Sequence, residues 1–177
     1  MKKFELTSEF ITNIFGTKLF RIKALIEFGN VKAGELGGFV EKEENLSQDG
    51  NAWVYGNARV YGNARVYGNA CVYGDARVHG NARVCGDARV YGDTRVCGDA
   101  CVYGDAGYAT VHGFGSEYRT TTFFKTKAGN IGVKCGCFYG NLSEFRKKVV
   151  ETHGETKKAK EYLMLADLME FRFSDNS

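Results

Sequence analysis

From Ala52 to Asp105 the chain repeats one six-residue unit nine times with few substitutions: a small residue, a variable one, Val, an aromatic residue or Cys, Gly, then Asn or Asp. A period of six is too short for a helical solenoid and fits a parallel β-helix, in which each hexad supplies one strand and one corner. With Ala58-Arg59-Val60-Tyr61 as strand and Gly62-Asn63 as corner, the period of two sends Ala58 and Val60 inward and Arg59 and Tyr61 outward. Gly and Asn or Asp tolerate the backbone geometry of a tight corner. Every repeat Val from Val54 to Val102 then faces a thin core, with Ala or Thr94 beside it.

The flanks read differently. Phe4-Glu5-Leu6-Thr7 and Leu19-Phe20-Arg21-Ile22-Lys23 are expected to be strands around a turn at Gly16, forming an N-terminal β cap. After the repeats, Thr120–Thr126 and Ile131–Tyr139 read as a hairpin about Ala128-Gly129-Asn130. Asn141 with Glu144 forms a capping box for a helix reaching Thr152 and ended by Gly154. A second helix from about Lys157 shows Tyr162, Leu165, Ala166 and Met169 at the spacing of an apolar face. The expected divisions are a β cap over 1–39, repeats over 40–113 and a ββαα subdomain over 114–177.

The block Phe28-Gly29-Asn30-Val31-Lys32-Ala33-Gly34-Glu35-Leu36-Gly37-Gly38-Phe39-Val40, continued by Asn45-Leu46-Ser47-Gln48 and Gly50-Asn51-Ala52-Trp53-Val54-Tyr55, resembles the opening of a family of bacterial and bacteriophage hexapeptide-repeat proteins. The likeness spans roughly residues 18–110, and members of this family are often labelled transferases. It implies a mainly β fold: a short left-handed parallel β-helix with three hexads per triangular coil. The left hand comes from the resemblance, since strand twist alone favours the right-handed crossover. Val40 and Leu46 extend the small-residue register upstream, and Thr110 and Val111 are its fading end. That makes about four coils, about 19 Å tall at roughly 4.8 Å each.

At 177 residues and 44% apolar content the chain can bury a core. It has no apolar window of about 18 residues and no signal-peptide run after Met1, so the expected location is the cytoplasm, that of a bacterial host by the resemblance. Its six Cys lack the spacing of a secreted framework and read as reduced thiols. Lys and Arg number 24 against 21 Asp and Glu, which argues against a globally basic nucleic-acid binder and leaves room for local stripes.

Three hexads per coil stack the outward positions into three faces. Face one carries Arg59/Tyr61, Arg77/His79 and Arg95/Cys97. Face two carries Arg65/Tyr67, Arg83/Cys85 and Cys101/Tyr103. Face three carries Trp53/Tyr55, Cys71/Tyr73 and Arg89/Tyr91. The aromatic stripe of Trp53, Tyr55, Tyr73 and Tyr91, with Arg89, reads as an interface, covered either by the chain's own C-terminal tail or by another protein. The stacked arginines of face one repel one another unless Asp75, Asp93 and Asp99 form a salt ladder with them or phosphates meet them. In the second case Arg59, Tyr61, Arg77, His79, Arg95, Arg65 and Arg83 form the binding surface, with Tyr61 offering a stacking edge.

Enzymes with the resembled fold use a His as general base in acyl transfer, which directs attention to His79 and His112, with His153 the remaining histidine. No nucleophile, base and orienting group come together in the sequence, so no catalytic residue is assigned. Cys135 and Cys137 share one strand face with Ile131, Val133 and Tyr139, a core row, so neither a metal site nor a cofactor is expected. No phosphate loop, dinucleotide fingerprint or serine-hydrolase elbow occurs.

These features favour a non-catalytic binding protein. Given the phage and mobile-element character of the resembled family, it is expected to bind and inhibit a host factor such as a defence nuclease or nucleic-acid complex, in the manner of an anti-CRISPR protein. The basic runs Arg146-Lys147-Lys148 and Lys157-Lys158-Lys160 would add to such a surface. The alternatives are an acyltransferase using acetyl-CoA through His112 or His79, and a self-assembling structural β-helix. A homo-oligomer, dimer or trimer, is expected, with no membrane contact.

Overall fold

Alternation along each hexad sets the architecture of residues 52–103. Every repeat Val and Ala is fully buried, and Thr94, which replaces one Ala, is 3% exposed. The repeat strands are β4 (Trp53–Val54), β5 (Arg59–Val60), β6 (Arg65–Val66), β7 (Cys71–Val72), β8 (Arg77–Val78), β9 (Arg83–Cys85), β10 (Arg89–Val90), β11 (Arg95–Val96) and β12 (Cys101–Tyr103). They pair in parallel at coil spacing, in the orders β5-β8-β11, β4-β7-β10 and β6-β9-β12. The result is a three-sided parallel β-helix of about four coils. The corners need a left-handed backbone, as at Gly80 (φ 71°), where a Cβ would also sit 2.9 Å from the Gly98 nitrogen of the next coil.

The N-terminal strands β1 (Phe4–Thr12), β2 (Lys18–Ala24) and β3 (Leu36–Val40) form an antiparallel meander whose last strand pairs in parallel with β5. This is the expected β cap, continuous with one side of the helix. Val40 pairs with Val60 and Leu46 with Val66, so both occupy the Val register and not the small-residue register. The reason is a two-residue enlargement between Leu46 and Val54, which lengthens the first coil.

Each coil donates its backbone N–H groups to carbonyls of the next, as in Tyr55 N–H to Val72 O (2.8 Å) and Arg59 N–H to Ala76 O (2.9 Å). Carbonyls at the first end therefore need donors from elsewhere. Buried Lys3 supplies them at one corner, its Nζ lying 2.9 Å from Ala52 O and 3.3 Å from Gly50 O. Asn45 does the same at another, with Nδ2 2.9 Å from Ala64 O and 3.1 Å from Gly62 O. These two side chains substitute for a missing coil.

Burial pushes the Lys3 ammonium down to about 8, with Asp49 offsetting part of the effect. Above pH 8 the native side chain gives up its proton while the unfolded chain keeps it up to about 10.5. Stability is therefore expected to rise with pH across that window by up to about 3 kcal/mol, and to be flat from this source below it. Urea titrations of the wild type and Lys3→Met at pH 7, 8, 9 and 10 check this. A stability difference between the two that does not move with pH would refute it.

The described residues are 1–115 and 117–174 of a computed structural model, and they fall into two compact units, Met1–Gly107 and Tyr108–Ser177. The repeats end at β12 and a 3-10 turn over Asp105–Gly107. Thr110 and Val111 are not a fading hexad. They lie in β13 (Tyr108–Phe114), which opens an antiparallel sheet with β14 (Arg119–Lys125), β15 (Ile131–Cys135) and β16 (Phe138–Asn141). The expected long strand 131–139 is two strands, turned at Gly136-Cys137 where Cys135 pairs with Phe138. The second unit is thus four strands followed by two helices.

Those helices are α1 (Leu142–His153) and α2 (Lys157–Phe173). Asn141 Oδ1 accepts the Glu144 N–H and Glu144 Oε2 accepts the Asn141 N–H, both at 2.8 Å, which is the expected capping box, and Gly154 is the C-cap. Their apolar faces bury Phe145, Val149, Tyr162, Ala166 and Met169 against Phe123 and Val133 of the sheet. Among the described residues no helix is long and apolar enough to cross a membrane.

Candidate nucleic-acid interface

Strand register turns the hexad positions into columns. On face one Arg59, Arg77 and Arg95 stand in direct register, with Phe39 of β3 ahead of them. The Arg21 guanidinium lies 4.3 Å from the Phe39 ring centroid, and its Nε is 2.8 Å from Glu9. Beside this column the Tyr61 and His79 rings stack at 4.9 Å and 6°. Burial raises the Tyr61 pKa, against the opposing effect of Arg77 and Arg95.

Face two places Arg65, Arg83 and Cys101 in register. The corner between the two faces carries Asn63, Asn81 and Asp99, joined by amide hydrogen bonds of 3.3 Å. Across two coils the surface therefore reads Arg, aromatic ring, amide, Arg, with Glu41 and Asp99 at its two ends; Glu41 Oε2 is occupied by the Gly62 N–H at 2.6 Å. Arg59 and Arg77 are half-buried and Arg65 and Arg83 exposed.

The acid-bearing corners do not neutralise this patch. Among the described residues Arg59, Arg65, Arg77 and Arg83 form no ion pair. Asp75 likewise pairs with none of them, so a salt ladder along Arg59 and Arg77 is absent. Stacked guanidinium groups about 4.8 Å apart repel by roughly 1 kcal/mol in water. The basic runs of the second unit differ. Arg146 bonds Asp167 (2.8 Å) and Glu170 (2.7 Å), which raises its pKa, and Lys147 and Lys148 approach Glu151.

Face three holds the expected tyrosine column. Tyr55, Tyr73 and Tyr91 stack at 4.6 and 5.0 Å, within 9° of parallel. Burial raises the pKa of Tyr55 and of Tyr73. Arg89 is exposed, and interaction with Tyr91 raises its pKa. Trp53 is not part of an exposed stripe. It is fully buried, edge-on to Phe4 (6.2 Å) and Phe28 (5.3 Å) of the N-terminal segment, with no hydrogen-bond partner for Nε1 among the described residues.

The histidines named for acyl transfer have other surroundings. His79 lies flat on Tyr61, and His112 Nδ1 is 3.1 Å from Thr120 Oγ1 on the exposed side of β13. His153 stacks 5.9 Å from Tyr162 beside a cleft of about 270 Å³ that Cys135 and Cys137 also line. Cys135 accepts the Thr121 hydroxyl at 3.1 Å, and the Tyr162 hydroxyl donates to Phe114 O at 3.2 Å. Burial pushes that hydroxyl up to about 12. Cys137 is exposed in the turn and does not share a core row with Cys135. Among the described residues no three His, Cys, Asp or Glu are placed to hold a metal.

Residues 52–66, 64–80 and 82–98 match a family model described as YdcK beta solenoid repeat. The repeat block is a β-solenoid. The match covers the three faces and stops short of both flanks, so it speaks to the solenoid scaffold and not to chemistry. No curated protein matches the chain. What the hexad reading missed is how the solenoid is finished: the amide corner between two arginine columns, the plugs Lys3 and Asn45, and a cleft beside face two. Asn81 was the available signal, since the corners on either side of it carry Asp75 and Asp87.

Proposed function

We propose that the protein is a non-catalytic binding protein that meets a nucleic acid, free or within a nucleoprotein complex, through the solenoid patch of Arg59, Arg77, Arg65 and Arg83, with Tyr61 and His79 between the columns. The observation that carries this is the absence, among the described residues, of ion pairs on those four arginines, in a surface whose own corner offers amides and no carboxylate across two coils. Repulsion among them is relieved by a partner that brings anions at close spacing, and a phosphodiester chain does so. The rings add stacking edges suited to unpaired bases. Blocking a host nucleic-acid complex, the role implied by the phage-type resemblance, would follow from occupying its nucleic-acid path.

The test is fluorescence anisotropy of a labelled 20-nucleotide single strand and the matching duplex over a salt series. Four phosphate contacts predict a slope of log K against log salt of about −2.8 for the single strand. Binding that is absent at low salt, or indifferent to salt, would overturn the proposal.

A further inference from the structure

We infer that the cleft at the first end of face two is a nucleotide site that prefers a guanine base. This rests on the reading of the arginine columns above and gives it a ligand class. The cleft measures about 530 Å³, in the range that holds a small organic ligand, and is lined by Arg65 and Arg83, by Tyr67, Leu46 and Val66, and by Glu44.

Three chemistries converge there. Arg65 and Arg83 stand in register with no ion pair among the described residues, a fork for phosphate oxygens. Tyr67, 37% exposed, supplies a flat apolar face, and the adjacent Cys85 side chain and burial hold its pKa up, so it stays neutral. Glu44 makes no ion pair among the described residues, whereas Glu43 is committed to Lys2 at 2.6 Å. Glu44 is exposed and its carboxylate oxygens accept hydrogen bonds, so a ligand that offers donors at that end is favoured. Guanine presents two adjacent N–H donors on its pairing edge. Adenine alternates donor and acceptor there.

The wall is preorganised. Gln48 Oε1 accepts the Lys3 and Phe4 N–H groups at 2.8 and 3.3 Å, and Ser47 Oγ accepts the Asp49 N–H at 3.1 Å. Neither side chain is left to collapse into the space.

Calorimetric titration of the full chain with GMP, AMP and inorganic phosphate tests this, with Glu44→Gln as the variant. GMP should bind at least about tenfold more tightly than AMP, and Glu44→Gln should erase the preference while leaving strand binding through Arg59 and Arg77 intact. Equal affinity for the two nucleotides, or no nucleotide binding while the long single strand still binds, sinks the cleft proposal alone. Loss of both sinks the proposed function with it.

Discussion

Replacing Arg59 and Arg77 together by alanine is expected to weaken single-strand binding by about 100-fold while leaving the fold as stable as before or slightly more so. A hydrogen bond to a charged group contributes about 1.5–3 kcal/mol, so two lost phosphate contacts, taken at the lower end of that range for a solvent-facing surface, amount to roughly two decades in affinity. The salt slope should fall by half, to about −1.4, because two of four counterion-releasing contacts are gone. Stability moves the other way for a reason visible in the native state: the two arginines stand in direct register on neighbouring coils with no ion pair among the described residues, and truncation removes their repulsion. A function-first arrangement carries this signature, opposite signs for affinity and stability. If the double variant binds as the wild type does, face one is not the interface; if it melts well below the wild type, the arginines are structural.

Gly38→Ala is expected to be among the most damaging single methyl additions in the first unit, costing about 3 kcal/mol. A Cβ there would stand 2.5 Å from the Ala58 carbonyl oxygen and 2.7 Å from Val54 Cγ1. The first neighbour is backbone and cannot rotate away. Ala58 O also accepts the Phe39 N–H at 2.9 Å, the bond that docks β3 onto the first full coil, so making room for the methyl breaks the junction between cap and solenoid. Gly16→Ala is the comparison: its surroundings are open and only its φ of 81° resists, at a cost of about 1 kcal/mol. Chemical denaturation of both variants decides it. Equal losses would show that β3 can shift and that the cap is loosely seated.

The hexads were legible because their period and the strand period coincide: once Val60 points inward, the register of Arg59, Arg77 and Arg95 follows, as does the tyrosine column. The flanking helices were legible for local reasons, Asn141 with Glu144 at one end and Gly154 at the other. What stayed hidden depends on contacts between residues far apart in the chain. Trp53 occupies an outward position, and only the return of Phe4 and Phe28 over it makes it core. Lys3 has no local pattern marking it as a plug, because its partners, Gly50 O and Ala52 O, are backbone atoms at the far side of a meander. The cleft beside face two arises from the enlarged first coil, and a two-residue change of register cannot be told from degeneracy when Val40 and Leu46 fit either column. Cys137 was misplaced because a continuous alternation of residues hides a tight turn.

The corner amides carry a direction. Asn51 donates to Asn69 and Asn69 to Asp87, and Asn63 donates to Asn81 and Asn81 to Asp99. An amide both gives and receives, whereas a carboxylate only receives, so each of these two chains reads as a sentence with a full stop. Evolution can lengthen such a rod by duplicating a coil with Asn corners, since the copy slots into the relay. A coil copied with Asp corners would set carboxylate against carboxylate and add charge with no donor to meet it. At these two corners an Asn extends the relay and an Asp ends it, whereas the third corner, Asn57, Asp75 and Asp93, already sets one carboxylate above another within the repeats.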